Sequence, residues 1–276
     1  MAGSCFKVAH LSDVHLLAPE RHRRDSATWS VRLASIGRSL NGPERAQKLR
    51  RAIALAKKMG ADHLVVSGDL TETGTRSQFE HFAEILHESA FDRESISLVP
   101  GNHDAYDSPT GWRDALRGPL SAFARTSSHA PGVLIERGDV CFVPINTTHY
   151  QAITSSAGIF SNEAATALEL RLRDPAMRNK SMVVVQHHPP ITRPSKAWQW
   201  VDGLRGWAKL IHLLDRFPGV QLMHGHWHEI IDRAVGLGRS HIFGATATVA
   251  DKRTEARIRL YELRNGRLES SGLITG

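Results

Sequence analysis

Short apolar segments alternate with amphipathic segments along this chain, and this alternation constrains the fold more than any other feature of the sequence. The apolar runs at 6–11, 63–67 and 96–99 have the length of buried strands. Apolar residues at helical spacing over 44–59 and 75–89 predict helices between them. Strands that alternate with helices are typical of layered α/β proteins, in which the sheets are buried between helices.

The rest of the chain continues the same pattern. Further strands are predicted at 140–145, 182–186, 220–223, 241–249, 257–263 and 267–270, and further helices at 163–173 and 207–217. An Asn265-Gly266 turn joins the last two strands as a hairpin. Residues 17–47 form a basic, Ser-rich insertion, with a short helix expected over 27–40. Because no linker or repeat divides the sequence, we expect a single domain over 1–276 that carries this insertion.

Composition excludes several classes of protein. Of the 276 residues, 41% are hydrophobic and 23% are charged, as in a globular protein and unlike a disordered, collagen-like or coiled-coil chain. The sequence contains no apolar run near the ~20 residues that a membrane helix needs. Lys7, His10 and Asp13 interrupt the apolar stretch near the N-terminus, so we expect no signal peptide. Cys5 and Cys141 are too few for a disulfide scaffold, and we expect a cytoplasmic protein.

The charge balance favours anionic partners. Thirty-five Lys and Arg residues against 28 Asp and Glu residues give a formal net charge of +7, and a positively charged protein attracts anions over long range. Part of the excess is concentrated in 21–58. One interpretation of this basic stretch is a solvated helix face, and the other is a surface that contacts an anionic membrane or a nucleic acid.

Five polar motifs carry the chemistry, and each follows a predicted strand. They are Asp13-Val14-His15, Gly68-Asp69, Gly101-Asn102-His103-Asp104, His187-His188-Pro189 and Gly225-His226-Trp227-His228. Ligands of open α/β folds collect at the carboxyl ends of the strands. Motifs that are far apart in the sequence can therefore converge on one site.

The residue types in these motifs suit a pair of divalent cations. Carboxylates together with imidazoles favour zinc, iron, manganese or nickel over calcium or magnesium. Asp13 with His15, and likewise His226 with His228, have the spacing that puts two side chains on the same side of a strand end. A carboxylate has two oxygens, so one aspartate can bridge two metals about 3.5–4 Å apart, which together can activate water and bind a phosphoryl oxygen.

The order D-x-H, G-D, G-N-H-D, H and G-H-x-H resembles that of the calcineurin-like metallophosphoesterases, and it spans residues 13–228. The resemblance implies an α/β fold, a four-layer αββα sandwich of two mixed β-sheets flanked by helices, with the site at one edge. It also implies two divalent metal ions. Members of this family commonly use manganese or iron, and zinc is an alternative. The ligands implied are Asp13, His15, Asp69 and His228 for the first ion and Asp69, Asn102, His187 and His226 for the second, with Asp69 bridging.

The same resemblance implies catalytic roles. A hydroxide at the metals would attack phosphorus in line, His103 would stabilise the transition-state charge or protonate the leaving group, and Asp104 would orient His103. In the family's H-x-P pattern the first histidine is the ligand, which leaves His188 as a candidate for substrate binding. His224 stands where the family usually has a small or apolar residue, and its role stays open.

Within the family, the chain resembles the bacterial class III cyclic-nucleotide phosphodiesterases. His103-Asp104 follows Asn102, and the HHPP motif is followed by a W-x-x-x-D-G-L segment that begins at Trp198. The resemblance predicts a metal-dependent hydrolase of phosphodiesters, with a small phosphoester as substrate and cyclic nucleotides among the candidates. The insertion at 17–47 departs from the compact members and is interpreted as a cap, a site for a larger anionic substrate or a membrane contact.

Three alternatives to this function remain. A pyrophosphohydrolase of nucleotide-linked lipid precursors would use Trp198, Trp200 and Trp207 as a hydrophobic lid, although many such enzymes have Arg at the position of His103; packing on the core is the other interpretation of these tryptophans. A nuclease of the superfamily usually carries a capping domain and a coiled-coil insertion, so we expect no nucleic-acid partner. The third alternative, from a different class, is a metal-binding scaffold without turnover.

Overall fold

The structure, a computed structural model, gives the bounds of each element over residues 5–19, 29–36, 38–237, 240–248 and 255–276. The helices are α1 (Trp29–Ala34), α2 (Gly42–Lys58), α3 (Arg76–His87), α4 (Gly111–Arg117), α5 (Asn162–Arg173), α6 (Lys196–Asp202) and α7 (Trp207–Arg216). The strands are β1 (Lys7–Leu11), β2 (His63–Ser67), β3 (Ile96–Val99), β4 (Ile135–Arg137), β5 (Val140–Pro144), β6 (Gly158–Ile159), β7 (Ser181–Val185), β8 (Leu204–Arg205), β9 (Gln221–His224), β10 (Ile231–Val235), β11 (Ser240–Gly244), β12 (Arg257–Arg264) and β13 (Arg267–Thr275).

Two large mixed sheets organise the fold. The first has the strand order β13-β12-β1-β2-β3, and the second has the order β10-β11-β9-β7-β5-β4. In the first sheet β1, β2 and β3 run parallel, with Val8 opposite His63 and Leu64 opposite Ile96. In the second sheet β5, β7, β9 and β11 run parallel, and antiparallel strands β4 and β10 form its edges. The parallel strands of each sheet therefore present their carboxyl ends along one edge.

The core lies in three layers that follow the alternation of side chains along each strand. Along β1, Ala9 and Leu11 face helices α2, α3 and α4, whereas Val8 faces the second sheet. The far side of the second sheet packs against α5 and α7, through residues such as Leu168 and Leu210. The result is the predicted αββα sandwich, with both sheets covered by helices.

The space between the two sheets also contains histidine. His63 is fully buried and stacks on Phe142 of the opposite sheet, with ring centroids 4.3 Å apart and an interplanar angle of 10°. Its Nε2 lies 2.8 Å from Oγ of Ser97. The flat imidazole thus fills a position between the sheets while one ring nitrogen keeps a polar partner.

Most predicted strands and helices lie where the sequence placed them, and the departures have local causes. The strand predicted over 241–249 ends at Gly244, and residue 249 lies outside the described residues. The strand predicted over 267–270 continues to Thr275, because it stays paired with β12 along its length. Helix α6 was not predicted; it has no buried residue, so it leaves no apolar periodicity in the sequence.

The basic stretch differs from a solvated helix face at two positions. Helix α1 lies inside the range where a helix was expected, whereas Arg21, Arg23 and Arg24 fall outside the described residues. On α2, however, Arg45 is 2% exposed and Lys48 is 3% exposed. Among the helices described, none combines the length and the apolar character that crossing a membrane requires.

Candidate metal centre

The predicted site residues meet where the carboxyl ends of strands from both sheets adjoin. Asp13, Asp69 and Asn102 follow β1, β2 and β3 of the first sheet. His187 follows β7 of the second sheet, and His226 with His228 follows β9. The two sheets are packed face to face, so these loops close over one polar cleft between them.

Five of these residues have a left-handed backbone, the region that residues other than glycine adopt at a cost. The φ angles are 53° at Asp13, 48° at His15, 48° at Asp69, 73° at His226 and 56° at His228. Backbone hydrogen bonds hold the first two loops together, from N of Asp13 to O of Gly68 at 3.0 Å and from N of His15 to O of Asp69 at 2.8 Å. Strain of this kind is typical of functional sites.

The first cluster of donors contains Asp13, His15 and His228. Nε2 of His228 lies 3.2 Å from Oδ1 of Asp13, and Nε2 of His15 lies 3.5 Å from Nε2 of His228. Nε2 of His15 also lies 3.7 Å from Oδ2 of Asp69. One carboxylate and two imidazole nitrogens thus face a common point, and the second carboxylate adjoins it.

The second cluster contains two buried polar atoms that have no hydrogen-bond partner among the described residues. Nδ1 of His187 donates to the carbonyl oxygen of Ser67 at 2.8 Å, while its buried Nε2 has no hydrogen bond and lies 3.4 Å from Oδ2 of Asp69. Nδ2 of Asn102 donates to the hydroxyl of Tyr106 at 2.7 Å, which leaves the buried Oδ1 without a partner. Buried polar atoms are normally satisfied, so these two atoms fit a cation, which at His187 would take the place of a proton.

Asp69 lies between the two clusters. Its Oδ1 accepts a hydrogen bond from the backbone nitrogen of His103 at 2.9 Å, and its Oδ2 faces His15 on one side and His187 on the other. Burial would raise the pKa of Asp69, but the charges of His187 and His103 outweigh it and hold the pKa well below its usual value. Burial would likewise lower the pKa of His187, but the charge of Asp69 raises it to about 9.

His226 contacts Asp202, a residue that the sequence analysis did not place in the site. Its Nε2 lies 3.0 Å from Oδ1 of Asp202 and 2.9 Å from the carbonyl oxygen of the same residue. Burial would raise the pKa of Asp202, but the hydrogen bond and charge of His226 and the charge of Arg193 lower it to about 2. Since Nε2 is engaged, Nδ1 is the nitrogen of His226 that remains for a ligand.

His103 and Asp104 have different environments. Nδ1 of His103 donates to the carbonyl oxygen of Glu72 at 2.7 Å, and its Nε2 lies 4.0 Å from Oδ2 of Asp69. The carboxylate of Asp104 points to the backbone instead: it accepts hydrogen bonds from the backbone nitrogens of Leu70, Thr71 and Gly101 and from the hydroxyl of Thr71, at 2.7–3.0 Å. These hydrogen bonds hold the loop that carries Asp69, so the expected orienting of His103 by Asp104 would act through the backbone of these loops.

Glu72 is a second residue that the sequence did not single out. It is fully buried and pairs with two arginines, Arg38 and Arg45. Nη1 of Arg45 also donates to the carbonyl oxygen of His15. Arginines of the basic insertion thus support the backbone of His15 and, through Glu72, the imidazole of His103. The only signal of this supporting role in the sequence is the number of arginines at 38–51. Nothing in the local sequence indicates that any of them pairs with Glu72.

Two further histidines lie against the site. His188 is buried, and its ring nitrogens contact Oγ1 of Thr147 at 2.8 Å and the carbonyl oxygen of Ser156 at 3.0 Å. Both nitrogens are therefore engaged, although the ring centroid of His188 lies 4.7 Å from that of His226. His224 is buried, with Nδ1 2.9 Å from the carbonyl oxygen of Gly225 and Nε2 without a partner.

The three tryptophans that follow the HHPP motif divide into two groups. Trp198 and Trp200, on α6, are 64% and 65% exposed. Trp207, at the start of α7, packs against the core on the helix side of the second sheet. Packing therefore accounts for Trp207, whereas Trp198 and Trp200 remain on the surface.

Comparison with known proteins identifies relatives of the chain. A family model described as calcineurin-like phosphoesterase matches residues 6–229. A 3′,5′-cyclic-nucleotide phosphodiesterase of Nostoc sp. is 24% identical over 225 residues, which cover 80% of this chain and 71% of that protein. A probable cyclic nucleotide phosphodiesterase of Vesicomyosocius okutanii is 22% identical over 182 residues, which cover 66% of this chain and 68% of that protein.

Solved structures share the fold over nearly the whole chain. A dimetal phosphatase from Danio rerio superposes with a TM-score of 0.70 at 13% identity, covering 98% of each chain. A purple acid phosphatase from yellow lupin seeds superposes with a TM-score of 0.57 at 14% identity, covering 99% of this chain and 53% of that one. At these identities the likeness establishes the architecture.

Proposed function

The chain belongs to the calcineurin-like phosphoesterase family, metal-dependent hydrolases of phosphoric esters, and from this premise we propose that it hydrolyses phosphodiesters with two divalent cations. Cyclic nucleotides are candidate substrates, because the two curated relatives compared above are described as cyclic-nucleotide phosphodiesterases. The observation that carries the proposal is the position of Asp69, whose Oδ2 lies 3.4 Å from Nε2 of His187 and 3.7 Å from Nε2 of His15.

The seven proposed ligands divide between two cations that share Asp69. The first would be held by Asp13, His15, Asp69 and His228, and the second by Asp69, Asn102, His187 and His226. Mixed oxygen and imidazole donors favour manganese, iron or zinc. When bound, such cations supply Lewis acidity toward phosphoryl oxygens and acidify water.

His103 is the proposed catalytic residue of the chain itself. Its Nδ1 donates to the carbonyl oxygen of Glu72, which fixes the ring with Nε2 toward the cleft and Asp69. In this position a protonated Nε2 donates to a phosphoryl oxygen or to the departing oxygen of the ester. Asp104 acts indirectly, because its four hydrogen bonds hold the Asp69 loop against the loop of Gly101.

A second candidate function is hydrolysis of a nucleotide-linked lipid pyrophosphate, favoured by the exposed tryptophans. Trp198 and Trp200 project from the helix whose last residue, Asp202, contacts His226. The guanidinium of Arg205 lies 4.0 Å from the ring centroid of Trp200, so the surface combines aromatic and cationic groups as membrane-facing surfaces do. Against this candidate stands His103, where many such enzymes have Arg.

We also propose that residues 1–276 form a single domain and that the protein works in the cytoplasm. Cys5 and Cys141 are free, which suits a reducing compartment. The basic insertion at 17–47 has its own proposed role in supporting the site, because Arg38 and Arg45 bind Glu72. Peripheral contact of this insertion with an anionic membrane would be tested by sedimentation with vesicles that contain phosphatidylserine.

The test of the proposed function compares bis-p-nitrophenyl phosphate with p-nitrophenyl phosphate in manganese-loaded protein, with a chelator-treated sample as control. A preference for the diester that chelation abolishes would support the proposal, and 3′,5′-cyclic nucleotides would be assayed next. A preference for the monoester would contradict the proposal and indicate that the protein is a phosphatase. Absence of turnover with either ester, in a sample shown to bind two metals, would favour the lipid pyrophosphate or the non-catalytic scaffold.

A further inference from the structure

A cavity of about 600 Å³ lies between α4 and the segment that follows β5. This volume is typical of small-molecule sites. Of the described residues that line it, three are arginines, two are histidines and none is acidic. The basic residues are Arg113, Arg117, Arg125, His129 and His149.

Two of the three arginines at this cavity, Arg117 and Arg125, are available to a ligand. Arg113 lies 3.8 Å from the carboxylate of its neighbour Asp114. Within the described part of the chain, Arg117 and Arg125 form no ion pair, and both are exposed. Guanidinium groups bind phosphate and carboxylate through paired hydrogen bonds, so a cavity edged by unpaired arginines favours an anion.

The floor of the cavity is apolar. Trp112 and Leu116 are 7% and 6% exposed and belong to the core beneath it. Nε1 of Trp112 donates to the carbonyl oxygen of Ser128 at 3.1 Å, which fixes the indole. Tyr150 stands at the cavity with 56% of its surface exposed. A ligand with a flat, weakly polar ring and an anionic group would match this cavity: the ring would pack on the apolar floor, and the anionic group would bind the arginines at its edge.

The cavity adjoins the candidate metal centre through two segments. Ala105 lines it and ends the turn Asn102–Ala105, which carries the proposed ligand Asn102 and the proposed catalytic residue His103. Because consecutive Cα atoms are about 3.8 Å apart, the Cα atoms of Ala105 and His103 are at most about 7.6 Å apart. On the other side, Thr148 lines the cavity and follows Thr147, whose hydroxyl contacts His188.

We propose that this cavity is a subsite for an anionic group of the substrate other than the scissile phosphate. The inference rests on the proposed function and narrows its substrate class to phosphodiesters that carry a second anionic group, such as a nucleotide with a further phosphate. A 3′,5′-cyclic mononucleotide has a single phosphate, which the metal centre would engage, and so leaves this subsite empty.

The test uses two substrates with the same scissile bond and leaving group. Thymidine 5′-(p-nitrophenyl phosphate) and its 3′-phosphorylated form differ only in the remote phosphate. We expect kcat/KM of the manganese-loaded protein to be about tenfold higher for the phosphorylated form, as charge-assisted hydrogen bonds allow. In an Arg117→Glu/Arg125→Glu variant the ratio falls to about one, whereas Arg178→Glu, an exposed arginine before β7, keeps the wild-type ratio.

A binding measurement separates this inference from the proposed function. In calorimetry without turnover, thymidine 3′,5′-bisphosphate binds the wild type about tenfold more tightly than thymidine 5′-phosphate, and the double variant loses this difference. If neither p-nitrophenyl ester is hydrolysed but this difference holds, the proposed function fails and the anionic subsite stands. Equal affinities for the two nucleotides in the wild type, or a preference that survives the charge reversal, would overturn the subsite.

Discussion

Asp202 contacts His226 twice, with Nε2 of the imidazole 3.0 Å from Oδ1 of the carboxylate and 2.9 Å from the backbone carbonyl oxygen. The same carboxylate accepts from the hydroxyl of Ser156 at 2.7 Å and pairs with Arg193, whose guanidinium lies 4.1 Å from the ring centroid of Trp227. Because Trp227 follows His226 in the sequence, these contacts form a closed ring of four side chains. The ring fixes the plane of the imidazole and fastens α6 to the candidate metal centre.

Replacing Asp202 with alanine should weaken binding of one of the two metals. Partners of a metal-binding histidine orient the ring, and their loss costs about 10–100-fold in metal affinity. Manganese titration by calorimetry measures the effect directly and does not depend on turnover. Asp215→Ala is the matched control, because it removes a carboxylate that accepts a hydrogen bond from the backbone nitrogen of Leu237, away from the cleft. Unchanged affinity of both metals in Asp202→Ala would show that the carboxylate does not orient His226 and that the backbone carbonyl oxygen of residue 202 suffices.

Asp69→Asn should abolish diester hydrolysis while the protein stays folded. The substitution keeps the size of the side chain and removes the charge that faces both His15 and His187. Metal analysis should show fewer than two ions for each chain, and circular dichroism should match the wild type. Near-normal activity in a fully metal-loaded sample would show that Asp69 does not bridge.

His103→Ala should lower kcat for bis-p-nitrophenyl phosphate by about 10²–10⁴-fold, the usual range for loss of a general acid or base. Metal content should stay near two ions for each chain, because His103 is not among the proposed ligands. Elemental analysis of the purified variant provides this number. Loss of both metals would identify His103 as a ligand instead.

Gly101→Ala should disturb the site through sterics alone. A Cβ atom at this position would lie within 3.0 Å of the carboxylate and the backbone nitrogen of Asp69, so the Asp69 loop would have to shift. We expect destabilisation of about 1–3 kcal/mol in urea unfolding, as for other overpacked positions. Gly42→Ala meets its nearest atom at 3.5 Å and serves as the control, with a change within about 0.5 kcal/mol. Equal stabilities of the two variants would contradict this account.

His63 should make the fold sensitive to acid. Burial, and then the charge of Arg137, lower its pKa from 6.5 to about 3. The unfolded chain therefore takes up this proton near pH 6.5 and the folded chain does so only near pH 3, so the stability His63 contributes is present above pH 6.5 and is lost as the pH falls toward 3. Between about pH 7.5 and pH 5, the wild type should lose about 2 kcal/mol more stability than His63→Gln. Urea unfolding at both pH values measures the difference, and equal losses would show that His63 is not buried in its neutral form.

Local patterns in the sequence predicted layered α/β structure and placed the proposed ligands after strand ends, whereas the four-layer sandwich was implied by the resemblance to the family. An apolar run sets a strand, and a polar motif directly after it sets a position at the strand end, as at Asp13 and Asp69. The supporting residues could not be predicted in this way. Glu72 and Asp202 act through partners 27 and 24 residues away in the chain, Arg45 and His226, and those contacts exist only once the loops are folded.

The left-handed backbone at Asp13, His15, Asp69, His226 and His228 bears on how the centre could be transplanted. Each of these conformations costs folding free energy, about 1–3 kcal/mol where the residue is not glycine. The positions of the donor atoms therefore depend on the backbone conformation of these loops as much as on the identity of the side chains. A designer who grafted the seven side chains onto ordinary loops of another scaffold would obtain the composition of the centre without its shape. A graft that keeps the geometry would have to include the loops that carry the ligands, together with the strand ends from which these loops start.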